Sequence, residues 1–189
     1  MQQYHEQSYL LDPYLESLVT PVVDRLKYYA KLYAESDQPA AHLTKKMSRI
    51  ANLLYYYINF RGYKSIGQSY LLYCTASITY HKVRFFPHEI ADLTIALDCM
   101  PKVSNEHSEW PLRYVILIWL YLICMIPFDL SQFDESDQIG KTASQLEDLA
   151  KSHLGKAGLE RDGAALLLSR LYVRYEILKA ERKFLTEVL

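Results

Sequence analysis

Residues 109–129 read EWPLRYVILIWLYLICMIPFD, and Arg113 is the single charge between Leu112 and Ile126. A run apolar on every side has no face to offer water, so it predicts a helix packed all round. Pro111 has the preset φ and missing N–H that suit a first helical turn. Glu109 stands one turn ahead of Arg113, in the acid-then-base order that favours a pair along the helix. At the far end Pro127 disfavours helical geometry at Ile126, and Asp129 is placed to bond the backbone freed beyond it. A membrane span needs about 20 apolar residues. This run is shorter and exits on a proline, so burial among other helices is the expectation, with no membrane span.

The rest of the chain must then supply the cover. At 189 residues it is one domain's worth. Its 17 tyrosines and 6 glycines favour packed helices with aromatic edges over a turn-rich β protein. A net charge of -1 creates no field that would draw in nucleic acid or an anionic membrane. The opening MQQYHEQSYL lacks the basic and apolar regions of a secretory signal. Cys74, Cys99 and Cys124 are odd in number, far apart and set among apolar residues, the pattern of buried reduced thiols in an intracellular protein.

Working outward in chain order, Asp12 and Pro13 mark a helix start. Leu15, Leu18, Val19, Val22, Leu26, Tyr29 and Tyr33 follow at helical spacing. Pro21 interrupts them, which predicts a kink or two short helices meeting near Thr20. A second helix is predicted from Ala40 to Phe60, with Leu43, Met47, Ile50, Leu54 and Tyr57 inward and Gly62 as its stop. Lys45, Lys46 and Arg49 fall on its solvated side. Tyr55, Tyr56 and Tyr57 cannot share one face, so they divide between core and surface. Pro87 opens a third helix to Met100, with Ile90, Leu93 and Leu97 inward. After the central helix, Lys141–Leu154 is amphipathic, with Ala143, Leu146, Ala150 and Leu154 inward and Gly155 as its stop. Two more helices are predicted over Leu159–Val173 and Glu176–Leu189, the last without a capping signal. About seven helices joined by polar turns give an all-α fold. Successive pairs around apolar inner helices suit an α-solenoid of HEAT or armadillo-like repeats, with a compact bundle as the alternative. Residues 65–82 stand apart: rich in Thr, Ser, Tyr and β-branched residues, they lean toward strand or irregular structure.

Motifs for chemistry are sparse. No Gly-rich phosphate loop occurs, and Gly155–Gly158 reads as a helix stop and turn. His88-Glu89-Ile90-Ala91-Asp92 approaches the zinc pattern H-E-x-x-H, but no third ligand is placed, and Glu89 in a first turn is explained by the helix dipole. Arg161-Asp162 reads as a surface pair. Nothing assembles nucleophile, base and orienting group, so neither an enzyme nor a bound cofactor is expected. Arg61, Lys64 and Arg84 form a basic cluster around Tyr63, Phe85 and Phe86, too short for a nucleic-acid stripe. With His88 and Glu89 it is the candidate partner surface, opposite a solvated repeat edge as the plainer reading.

Five strings, taken together, carry a resemblance. They are Arg61-Gly62-Tyr63-Lys64; Phe85-Phe86-Pro87-His88-Glu89-Ile90-Ala91-Asp92-Leu93; Arg113-Tyr114 running into Leu117-Ile118-Trp119-Leu120; Ile126-Pro127-Phe128-Asp129-Leu130-Ser131; and Arg161-Asp162-Gly163-Ala164-Ala165 through Leu168-Ser169-Arg170. In order and content they resemble the tubulin-folding cofactor D family, across roughly Leu10 to Leu189 apart from 65–82. The resemblance implies a much longer helical-repeat protein that captures β-tubulin after chaperonin release. With the other tubulin-folding cofactors and an Arf-like small GTPase, such proteins assemble and dismantle the α/β-tubulin heterodimer and stimulate its GTP hydrolysis. It also implies a cytoplasmic, microtubule-associated location and carries over no catalytic residue. Residues 1–189 would be one segment from the N-terminal half of a larger solenoid. Residues 65–82 would be an insertion, because relatives run almost directly from the Arg61–Lys64 string to the Phe85–Leu93 string; an in-frame retained intron is one origin. The alternative is a general HEAT-type scaffold or trafficking adaptor that does not bind tubulin.

Overall fold

The apolar run forms one helix, Trp110–Cys124, and the other helices gather around it. The computed structural model describes residues 10, 13–36, 41–61, 89, 91–126, 128–135, 138 and 140–188, with backbone alone at 15, 60, 61 and 175–188. In chain order the helices are α1 (Leu15–Glu35), α2 (Ala41–Arg61), α3 (Ala91–Cys99), α4 (Trp110–Cys124), α5 (Lys141–Leu154) and α6 (Leu159–Val188). Short 3₁₀ turns at Met100–Lys102, His107–Glu109 and Leu130–Phe133 join them. No strand occurs among the described residues. No described helix is long and apolar enough to cross a membrane.

α4 is central because its sequence gives it no alternative. From Pro111 to Cys124 every residue except Tyr121 is buried, and Leu112, Val115–Leu120, Ile123 and Cys124 are wholly so. Each such aliphatic side chain contributes about 1.5–3 kcal/mol by leaving water, so this helix anchors the core. α2, α3 and α6 pack directly on it; α1 covers α2 and α3, and α5 covers α6. The chain is thus a row of stacked helical pairs, α1/α2, α3/α4 and α5/α6, with α4 in the middle. The α2–α4 seam is aromatic: Tyr55 meets Trp110 edge-on at 4.9 Å and Tyr114 at 6.3 Å. The α4–α6 seam closes at Gly163, where an added Cβ would lie 3.2 Å from both Leu117 Cβ and Tyr114 Cδ2.

Several expectations need correction. α1 is one helix through Pro21 rather than two. Pro21 is exposed, so a carbonyl that loses its N–H partner faces water, while Val19, Val23 and Leu26 on the other side lock the helix down. The inward face is also rotated: Val23 and Ala30 are buried, and Leu18 is 38% exposed. α6 runs unbroken where two helices were expected, because nothing between Val173 and Glu176 disfavours a helix. On α5 the buried set is Thr142, Leu146, Ala150 and His153, so Leu154 points outward and His153 takes its place. Glu109 does not serve Arg113 but accepts a hydrogen bond from Ser48 on α2. Gly62, Cys74, Pro87, Ile90, Pro127 and residues 65–82 lie outside the described residues.

Other expectations stand. α2 buries Met47, Leu54 and Tyr57 and exposes Lys45, Lys46 and Arg49. Tyr57 is core, Tyr55 half-buried and Tyr56 exposed. Pro111 lies in the first turn of α4, and Asp129 accepts from the Ser131 N–H beyond its end. Cys99 and Cys124 are buried free thiols. Burial pushes them up from 9.0 to about 12 and about 11, respectively.

Candidate functional site

Two features stand where a partner could engage them: the entrance of α3 and a cleft between α3 and α5. Glu89 sits at the first. Its N–H donates to Asp92 Oδ2 at 3.0 Å, and its carbonyl accepts from the Asp92 N–H at 2.9 Å. This reciprocal pairing satisfies the orphan donors of a helix start. Asp92 is fully buried, and its charge is met by Lys27 of α1, Nζ to Oδ1 at 2.8 Å. Lys27 also reaches the Glu89 carboxylate at 3.0 Å, and Glu89 keeps 73% of its side chain in solvent. Burial alone would lower Lys27, but Asp92 and Glu89 outweigh it and hold the ammonium above its usual 10.5. Asp92 is therefore an internal anchor between α1 and α3, not half of a zinc pair. Among the described residues, no group of three metal-binding side chains occurs.

The structure thus places one of the five candidate surface residues in full. Glu89 is exposed and carries an ion pair of the weak, exchangeable kind. The backbone of Arg61 ends α2, and its side chain, with Lys64, Arg84 and His88, lies outside the described residues.

The cleft was not foreseen. α3 is about two and a half turns long, a 3₁₀ turn follows it, and a gap remains beside α5. The gap that remains holds a cavity of about 600 Å³, floored by Ala34, Leu97, Pro101 and Leu149 and edged by Asp98 and Asp148. A second cavity of about 330 Å³ continues it past Pro101 and Leu149 toward Asn105, Arg113, His153 and Lys156. Its walls are fixed. Lys102 donates to the Ala34 and Ser36 carbonyls at 2.6 and 2.9 Å, capping the C-terminus of α1. Tyr33 donates to the Lys102 carbonyl at 2.8 Å. Behind the second cavity Arg113 holds Glu160 with two hydrogen bonds and donates to the Ser104 and Glu106 carbonyls. His153 Nδ1 lies 2.9 Å from the Leu149 carbonyl, and Nε2 lies 3.8 Å from Glu160. An open trough with an apolar floor and charged edges is suited to holding a protein segment without covalent chemistry.

The matched family is described as tubulin-specific chaperone D-like, ARM repeat, and its model covers residues 1–71 and 68–189. The chain belongs to that family. The stacked helical pairs around α4 are accordingly an armadillo-type α-solenoid, the architecture expected from the apolar run. Tubulin-folding cofactor D of Schizosaccharomyces pombe is 26% identical to the chain over 129 residues. That match takes in 68% of the chain and 10% of the relative, so the chain spans about a tenth of the relative's length. No solved structure matches. Within this tubulin-specific chaperone D-like family, the two matched blocks overlap at 68–71 and together cover the compositionally distinct stretch 65–82.

Proposed function

We propose that this chain is a segment of a tubulin-folding chaperone solenoid that holds β-tubulin after chaperonin release. In this reading it works with the other tubulin-folding cofactors and an Arf-like small GTPase in assembling and dismantling the α/β-tubulin heterodimer. GTP hydrolysis is then stimulated by the assembled machinery rather than by a residue of this segment, and the protein acts in the cytoplasm at microtubules. The observation that carries the reading is the family match over both blocks of the chain. The fold is apt for it: a solenoid presents broad surface, and broad surface can shield an exposed subunit face without a reaction pocket.

The partner surface in this reading comprises Arg61, Lys64, Arg84, His88 and Glu89. Glu89 supports it by standing in solvent on a capped, rigid helix start. Residues 65–82 are an insertion in this reading, which their composition, rich in Thr, Ser, Tyr and β-branched residues, supports.

The test is capture of purified β-tubulin by the immobilised chain, with Glu89→Lys and Leu149→Arg as variants. The expected result is binding that Glu89→Lys weakens about tenfold, or about 1.4 kcal/mol. Leu149→Arg separates the cleft from that surface. Absence of capture by the unaltered chain, shown folded by its helical circular dichroism, would overturn the tubulin reading.

A further inference from the structure

α1 carries two apolar faces. Val19, Val23, Leu26, Ala30 and Tyr33 are buried against the neighbouring helices. On the opposite side Tyr14, Leu18, Tyr28 and Leu32 are 62%, 38%, 60% and 36% exposed. With Pro21 and Arg25, also exposed, they recur at alternating steps of four and three. That spacing is the seam along which one helix receives another. Part of the seam is already fixed in place. The Tyr28 ring meets Tyr29 edge-on at 5.3 Å, and Lys46 lies 5.3 Å over Tyr29. An aromatic held this way loses little freedom on docking and serves as an anchor. Beside it a notch of about 300 Å³ opens, lined by Pro21, Asp24, Arg25, Tyr28 and Tyr29.

We propose that a second copy of this chain docks on this seam, α1 against α1, antiparallel about a two-fold axis beside Val23. In that register Tyr14 faces the second copy's Leu32, and Leu18 faces the second copy's Tyr28. A two-fold contact repeats each pairing, so both arms of the seam close with an aromatic on an aliphatic side chain. Arg25 falls opposite the second copy's Pro21, in the notch lined by Asp24, so two Arg25–Asp24 ion pairs cross the axis. The order of these charges selects a copy of itself over an arbitrary apolar helix, and this is why a second copy is the occupant. α1 is about 31 Å long, so a single helix pair buries less than the standard interface of about 1,600 Å². The dimer is therefore weak and dilution reverses it. The inference is independent of tubulin binding.

Sedimentation equilibrium of the full chain between about 1 and about 100 µM tests it. The expected result is a monomer–dimer equilibrium within that range. Leu18→Lys and Tyr28→Lys, placed on exposed positions so that the helical content and melting point stay unchanged, are expected to weaken it at least about tenfold. Asp24→Arg and Arg25→Asp each set like charges against one another across the axis and weaken it, while the double exchange restores it. A monomer at every concentration overturns the proposal and leaves the seam to a helix from outside this chain. A dimer that ignores the Leu18 and Tyr28 variants, or a double exchange no better than either single one, overturns it equally.

Discussion

Arg113 and Glu160 form a two-pronged ion pair inside the stack, Nε to Oε1 at 2.7 Å and Nη2 to Oε2 at 3.0 Å. Both side chains are about 95% removed from solvent. The pair ties the first turn of α4 to the first turn of α6. Through the Ser104 and Glu106 carbonyls the same guanidinium holds the segment that leads into α4.

The first prediction concerns that pair. Glu160→Ala leaves a buried guanidinium without its counter-charge, which costs about 3–5 kcal/mol, whereas replacing both partners by apolar residues is far milder. Glu160→Ala is thus expected to lower the urea-unfolding free energy by about that amount, and Arg113→Met with Glu160→Leu by much less. A double variant as damaging as the single one would show that the pair is not the source of the loss.

Gly163 gives a second. Its space is taken by Leu117 Cβ and Tyr114 Cδ2, each 3.2 Å from where a Cβ would stand. Leu117 Cβ moves only with the α4 backbone, so a larger residue must push two helices apart. Overpacking of this kind costs about 1–3 kcal/mol, while helix propensity returns less than about 1 kcal/mol. Gly163→Val is therefore expected to lose about 2 kcal/mol in urea unfolding. A gain in stability would mean that the α4–α6 seam is looser than this geometry.

The buried thiols supply the third. Burial holds Cys99 and Cys124 protonated well above their ordinary 9.0, to about 12 and about 11. The folded state therefore keeps protons that the unfolded state gives up. Their contribution to stability is whole below pH 9 and falls as pH rises toward 11 and 12. In a Cys74→Ser background both thiols are expected to resist a disulfide reagent at neutral pH until the chain unfolds. Rapid labelling of the folded protein at pH 7 would place them at the surface instead.

The sequence shows why some of this was legible and some not. A 15-residue stretch carrying one charge has a single outcome in water, so α4 could be placed from its residues alone. The lone Arg113 was expected to pair along the helix with Glu109. Nothing local could pick Glu160, which lies 47 residues away, and the nearer Glu109 went to Ser48 instead. The inward faces of α1 and α5 were misjudged by one step because Leu18 and Leu154 are apolar yet exposed, while His153 is polar yet buried. Hydrophobicity reports what a side chain tolerates, and only the neighbouring helices decide which apolar positions are covered. The cleft escaped for a related reason. It is a gap lined by Leu97 and Pro101 on one side and Leu149 on the other, and residue spacing carries no signal for a gap. Of the candidate surface residues, Glu89 alone is placed with its side chain, as an exposed acid held by Lys27.

The last prediction concerns residues 65–82. If they are an insertion, the helices on either side owe them nothing, and their removal should leave the Lys27–Asp92 anchor between α1 and α3 intact. Excision shortens the stretch between Arg61 and Glu89 about threefold, which by the logarithmic cost of closing a chain returns about 1 kcal/mol. The nine residues left can still reach about 30 Å when extended. The shortened chain is expected to keep its helical circular dichroism per helical residue and to unfold at equal or slightly higher urea concentration. Sequencing the transcript tests the origin separately, since a retained intron predicts messages that lack these codons. A shortened chain that loses several kcal/mol or fails to fold would show that 65–82 packs into the stack, and the insertion reading would then be abandoned whatever the transcript says.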